Sequence, residues 1–218
     1  MRSKRIEALL SEIDRCNVLA DIGTDHGYLV EEVLTRNLAD KVIATDISKP
    51  SLDKAKRNLE ELPCFDRVDF RCGDGLEVLR DGEADCIVIA GMGGQMIIDI
   101  LKHDKHAKSY VLSPQSNVKE TRRYLVNNGF KIIKDYTVYS GDKYYVVIKA
   151  EHGQDTLSDI EVAFGRTNVN EPNGDFKKYI DGLYKRYDAI KKELNGNVPD
   201  AINEKLKEIE AVRSRYDS

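Results

Sequence analysis

The stretch VLADIGTDHGYL, residues 18–29, sets two glycines and two carboxylates into one turn. Gly23 and Gly27 lie between an apolar run, Val18-Leu19-Ala20, and a helix-like segment, Tyr28 to Arg36. Strand, glycine turn and helix is the setting in which a Rossmann-type sheet holds a cofactor. A turn for pyrophosphate should carry no carboxylate, yet this one carries Asp21 and Asp25. Two further acids follow apolar runs: Asp46 ends "KVIATD", and Asp74 sits in "CGDG", Cys72 to Gly75. A fourth turn, "AGMGG" at 90–94, offers mainly backbone. Read singly, each acid is an ordinary turn or N-cap residue, and the fourth turn a flexible strand–helix connection. Acids after three successive strands form a set that calls for a positively charged ligand.

Those turns need a sheet to align them. Strand signals at 17–22, 41–46, 67–71, 84–90 and 109–113 alternate with helix signals at 27–37, 50–61, 94–103 and 117–127. Pro50 suits a first helical turn. The alternation predicts βαβ units, a parallel sheet and right-handed crossovers. After Gly129 two β-rich runs, "FKIIKDYTVYS" and "KYYVVIKAE", flank Gly141-Asp142 as a hairpin. Five alternating strands followed by a hairpin is the strand inventory of a class I, Rossmann-like α/β methyltransferase with a seven-stranded sheet. The cofactor that inventory implies, S-adenosylmethionine, has no phosphate and carries a sulfonium and an ammonium, so carboxylates attract it. The expected cofactor contacts are Asp21, Gly23, Thr24, Gly27 and Tyr28 in the first turn, then Asp46 and Ile47. Gly73, Asp74 and Gly75 follow, and Ala90, Gly91 and Met92 complete the set.

Composition fits a cytoplasmic protein. The 218 residues are 41% hydrophobic and 33% charged, with a net charge of −4. No apolar run approaches the roughly 20 residues of a membrane span, and "MRSKRIEALLSEI" reads as a charged amphipathic helix without a signal-peptide core. The four cysteines, Cys16, Cys64, Cys72 and Cys86, include no C-x-x-C pair. Buried reduced thiols are expected, with no disulfide and no metal.

Four stretches, "ADIGTDHGYL", "GDGLEVL", "GEADCIVIAGMGG" and the Arg122-bearing "TRRYLVNNGF", resemble the TrmK-type tRNA (adenine-22-N1)-methyltransferases over residues 1–150. The resemblance implies a class I catalytic domain with a C-terminal coiled coil, methylating N1 of one adenine in bacterial tRNA with S-adenosylmethionine. After the fifth strand the chain departs from the family pattern with "SPQSN", so a base contact falls to Gln115 or Asn117 rather than Ser113. Adenine N1 attacks through an in-plane lone pair, so positioning should outweigh base catalysis. Asp25 and His26 are the expected catalytic side chains. For His26 a packed or exposed structural role stays open, as does stacking on the sheet for Tyr28.

The C-terminal residues read as structure. Phe176, Ile180, Leu183, Tyr187, Ile190 and Leu194 alternate spacings of four and three, a coiled-coil seam. Asn195-Gly196-Asn197 ends that helix, and Ile202, Leu206, Ile209, Val212 and Tyr216 line a second. This predicts an antiparallel hairpin with arms of roughly 25–28 Å at 1.5 Å per residue, and a division into residues 1–155, catalytic, and 156–218, tRNA-binding. The pairs Lys177-Lys178, Lys185-Arg186 and Lys191-Lys192 form a phosphate-facing stripe or a solvated face. With Arg2, Arg5, Arg122 and Arg123 they are the expected tRNA contacts, in a monomer or weak dimer. Two alternatives stay open: a small-molecule methyltransferase with an oligomerising coiled coil, and a non-catalytic cofactor-dependent RNA-binding module.

Overall fold

Apolar side chains on both faces of the central strands commit the sheet to cover on both sides. The computed structural model describes residues 3–194 and 198–216. In chain order it contains α1 (Lys4–Ser11), β1 (Cys16–Ile22), α2 (Tyr28–Thr35), β2 (Ala39–Asp46) and α3 (Lys49–Leu59). Then come β3 (Val68–Cys72), β4 (Cys86–Ala90), α4 (Gly94–Leu101), β5 (Ser109–Ser113) and α5 (Val118–Asn127). The chain continues through β6 (Phe130–Ser140), β7 (Lys143–His152), α6 (Asp159–Phe164), α7 (Arg166–Asn170), α8 (Gly174–Glu193) and α9 (Asp200–Arg213). The seven strands form one mixed sheet in the order β3-β2-β1-β4-β5-β7-β6. β7 runs antiparallel to both its neighbours, and the other adjacent pairs are parallel. Period-two alternation sorts the core into two layers. Ala20, Ile87, Ile89 and Leu112 face α4 and α5, while Leu19, Val88 and Val111 face α1 and α2.

The expected alternation and hairpin are present, with shifted ends. β2 begins at Ala39 rather than 41, and β4 at Cys86 rather than 84. Sequence reading passed over α6 and α7. Their signal was legible: Ser158 and Glu161 form a reciprocal capping box at the start of α6.

This stretch has a structural task, because β6 is the outer strand of the sheet. Its outward N–H groups are met by side chains instead of another strand. Thr167 Oγ1 accepts from Asp135 N–H at 2.9 Å, Asn168 Oδ1 from Thr137 N–H at 3.0 Å, and Asp175 Oδ2 from Tyr139 N–H at 2.9 Å. Beneath them Arg122 is 2% exposed and forks onto Asp135 at 2.5 and 2.8 Å. It also donates to the carbonyls of Val162 and Ala163. This overturns Arg122 as a tRNA contact. It lies on the buried face of α5 with Thr121 and Leu125, and its charge is spent inside the protein. α8 and α9 pack together around Phe176, Ile180, Ile209 and Val212, joined by Phe164 and Val169. Arg213 pairs with Asp181 at 3.0 Å, and Lys177 lies over the Tyr216 ring. The helix stop expected at 195–197 lies outside the described residues.

Candidate active site

Between β1 and β4 the strand order reverses, and open α/β sheets bind ligands at such a point, outside the carboxyl ends of the strands. A cleft of about 950 Å³ opens there. Its floor is built by the turns after β1, β2, β3 and β4, and α1 contributes Arg5, Ile6 and Leu9 to its wall.

Backbone and carboxylates lock the turns to one another. Gly23 N–H and Thr24 N–H both donate to the Thr45 carbonyl, at 2.9 and 2.8 Å. Asp46 accepts from Ser48 N–H at 2.7 Å through one oxygen and from Asp25 N–H at 3.3 Å through the other. Gly23 has φ 77°, and a Cβ there would lie 2.9 Å from Met92 Cε, so the first and fourth turns approach through a position that only glycine fills easily. Gly94 opens α4 with a Cβ site 2.4 Å from the Ser116 carbonyl, which presses that helix start against the loop after β5.

Thirteen cofactor contacts were expected, and all but Gly27 line the cleft. Gly27 lies under the turn, in the left-handed region at the start of α2 and against Leu59 and Ala55. Its service is to the packing of α2 and α3. The structure adds residues that sequence reading missed, among them Ile6 and Leu9 from α1 and Met96 from α4. The amphipathic spacing of α1 showed that it packs, but nothing local showed on what. Gln115 lines the cleft, whereas Ser113 is fully buried and lines no part of it. In the AGMGG turn, the Met92 carbonyl is already held by Gln115 N–H and the Gly93 carbonyl by Ile97 N–H.

The charge of the lining tests the cofactor. Asp21, Asp25, Asp46, Asp74, Glu77 and Asp99 face a single arginine, Arg5, across the cleft. Asp21 is 5% exposed, and burial pushes its carboxyl up to about 6, with the Asp46 charge adding to the rise. A buried carboxylate without a cation at hand suits a ligand that brings positive charge, and the wall would repel a pyrophosphate. S-adenosylmethionine fits these residues. Asp21 and the turn backbone would meet its methionine end, Asp46 its ribose hydroxyls, and Asp74 its adenine amine.

At the mouth, Tyr28, Ile47 and Met96 are exposed apolar side chains, 56%, 69% and 58% accessible, on the rim of a concave site. The His26 ring stacks on Tyr28 with centroids 5.2 Å apart and planes 4° from parallel. Lys54 Nζ lies 2.9 Å from His26 Nε2. An ammonium only donates, so in this contact the ring nitrogen is the acceptor. Asp25 is exposed, with φ 45°, 3.6 Å from the same nitrogen. Arg5 lies over the Tyr145 ring at 4.9 Å, and its buried Nε has no hydrogen-bond partner among the described residues. Of the other expected tRNA contacts, Arg123, Lys178, Lys185 and Arg186 are exposed, Lys177 is half-buried, and Arg2 lies outside the described residues.

A cleft walled by acids at the switch point of a 3-2-1-4-5-7-6 sheet defines a class I methyltransferase. A family model described as a methyltransferase domain matches residues 2–148, and the chain belongs to that family. It is 35% identical over 155 residues to the tRNA (adenine(22)-N(1))-methyltransferase of Bacillus subtilis, covering 69% of this chain and 65% of that protein. The chain thus spans just under two thirds of this relative's length in that match. A Streptococcus pneumoniae structure in complex with S-adenosyl-L-methionine superposes with a TM-score of 0.87, at 26% identity, over 98% of this chain and 100% of that one. Mycoplasma capricolum TrmK, bound to S-adenosyl-homocysteine, superposes at 0.86 with 25% identity over 99% of each chain.

Proposed function

We propose that this chain transfers the methyl group of S-adenosylmethionine to N1 of an adenine in tRNA, at position 22 as in the name of the Bacillus relative. The observation that carries this reading is the acid-walled cleft with an apolar, aromatic rim. The wall suits a cationic donor, and Tyr28 and Met96 offer surfaces for a planar base. The cofactor supplies an electrophilic methyl on sulfur. Adenine N1 attacks along its lone pair, the carbon–sulfur bond breaks toward sulfur, and the positive charge passes to the base without loss of a proton. His26 and exposed Asp25 then act by position. The carboxylate stabilises charge developing on the ring, and the imidazole, held by Lys54 and stacked on Tyr28, shapes the slot. N1 lies on the Watson–Crick edge, so the adenine must be unpaired or turned out of its helix.

Arg5 stands at the cleft wall with no carboxylate partner among the described residues, which suits a phosphate of the entering nucleotide. In this reading residues 1–155 carry the chemistry, and 156–218, with α8 and α9 as an antiparallel coiled coil, hold the tRNA in the cytoplasm where it is found. Arg123, Lys178, Lys185 and Arg186 are the exposed cations offered to its backbone.

Mass spectrometry of nucleosides from tRNA incubated with protein and cofactor tests the proposal. One methyl should appear on adenine N1 in an unmodified bacterial tRNA, and a substitution of adenine 22 should abolish it. Methylation of small molecules alone, or cofactor-dependent tRNA retention without transfer, would replace this reading with one of the two alternatives.

A further inference from the structure

At the end of the sheet opposite the cleft, the loop between α4 and β5 meets the last residue of β7. Three side chains converge there: Asp104 and His106 from the loop, and His152 from the strand. Asp104 Oδ2 lies 3.0 Å from His152 Nε2 and 3.5 Å from His106 Nδ1. One ligand atom from each of the three residues lies within 4.8 Å of the others. None of these residues lines the cleft.

The surroundings fix two of the three groups. Asp104 Oδ1 accepts from the Tyr110 hydroxyl, from Lys105 N–H at 2.8 Å and from His106 N–H at 3.3 Å. The Tyr110 oxygen itself accepts from Ala107 N–H at 3.0 Å and lies 3.1 Å from His152 Nε2, a contact that metal at that nitrogen would replace. One carboxylate oxygen is thus saturated, and the other is left facing two imidazole nitrogens. The His152 ring is stacked on Phe130, 4.8 Å away and 27° from parallel, with the Tyr110 ring edge-on at 5.6 Å. His106 has φ 51°, in the left-handed region, and its side chain is 73% exposed.

We propose that Asp104, His106 and His152 bind one divalent transition-metal ion of the zinc class. Two imidazole nitrogens and a carboxylate oxygen suit zinc and its neighbours, while magnesium and calcium prefer oxygen alone. Bonds of about 2.0–2.1 Å in a tetrahedral site place ligand atoms roughly 3.3 Å apart, close to the two separations seen. The Tyr110 hydrogen bond to the far oxygen is the outer partner that orients a ligating carboxylate. Solvent at His106 leaves a fourth position for water. Bound metal ties the α4–β5 loop to the end of β7. The expectation of no metal rested on cysteine spacing; the histidines, 46 positions apart in sequence, come together only because β7 returns antiparallel beside β5.

The test is calorimetric titration of chelator-treated, full-length protein with zinc, with cobalt absorption in the visible as a second readout. One equivalent should bind, and the melting temperature should rise by several degrees at saturation. His106→Ala, an exposed substitution that leaves the Tyr110–Asp104–His152 network intact, should weaken zinc binding at least tenfold and remove the thermal shift. His152→Gln should do the same. Absence of saturable binding, or equal affinity in His106→Ala, overturns the site and assigns any uptake to cysteines or to His26 and His103.

Discussion

Asp21 is a cleft residue whose charge state is set by the fold. Burial raises its carboxyl from 3.8 to about 6, so the folded chain holds that proton more tightly than the unfolded chain. Its contribution to stability is therefore fully present at low pH and is lost as pH rises from about 4 to 6. Above that window the buried charge costs about 3 kcal/mol. Asp21→Asn should stabilise the cofactor-free protein by that order at pH 7.5, measured by denaturant unfolding. A cationic cofactor favours the ionised form. Its affinity should fall as pH drops below about 6, by up to roughly tenfold per unit, and the dependence should vanish in Asp21→Asn. A pH slope that survives the substitution would move the titration to another group. Asp46 acts differently, because its two oxygens already hold the turns at Asp25 and Ser48. Asp46→Ala should weaken cofactor binding by about 1–3 kcal/mol, read by calorimetry on protein shown by circular dichroism to be folded. Asp25→Ala and His26→Ala should lower single-turnover methyl transfer more than tRNA affinity. Parent rates in both would leave the chemistry to backbone and shape.

At the scale of elements, the Arg122–Asp135 pair joins α5, β6 and the segment carrying α6. Breaking a buried pair on one side leaves an uncompensated charge, so Arg122→Ala should cost about 3–5 kcal/mol in unfolding free energy. A loss below about 1 kcal/mol, together with weaker tRNA binding, would return Arg122 to the interface. The residue also shows where the sequence was legible. The alternating strands, the hairpin and the four turns that line the cleft are local patterns, carried by period-two apolar runs and by glycines and acids at strand ends. They survived almost unchanged. What a charged side chain touches is not local. Arg122 sits in a motif with Arg123, and only helix phase, set by burial of Thr121 and Leu125, separates the inner cation from the outer. Gly27 lies off the cleft lining for the same kind of reason. Its neighbours in the chain line the cleft, while its own Cα faces Leu59, thirty-two positions away. The contribution of α1 to the cleft wall depends on tertiary docking that no window of sequence contains.

At the scale of the molecule, the basic stripe of α8 is divided. Lys177 is engaged with Tyr216, and Lys192 pairs with Asp188 at 2.7 Å, while Lys178, Lys185, Arg186 and Lys191 are exposed. Replacing those four with Gln leaves the apolar packing of α8 on α9 in place. It should weaken tRNA binding and flatten its salt dependence by roughly 0.7–0.9 in log–log slope for each phosphate no longer neutralised. An unchanged slope would make the stripe solvated surface. The covered edge of β6 bears on a different property, the behaviour of the chain in a crowded solution. A strand of eleven residues at the border of a sheet is a template onto which another copy can add, and natural proteins blunt such borders. Here the blunting is done by Thr167, Asn168 and Asp175, which lie after the last strand in the chain. During synthesis, therefore, the seven strands emerge before the groups that close their border. A ribosome that stalls or terminates in this interval releases a nearly complete sheet with an open, self-complementary edge, and such a fragment is prone to polymerise rather than remain dispersed.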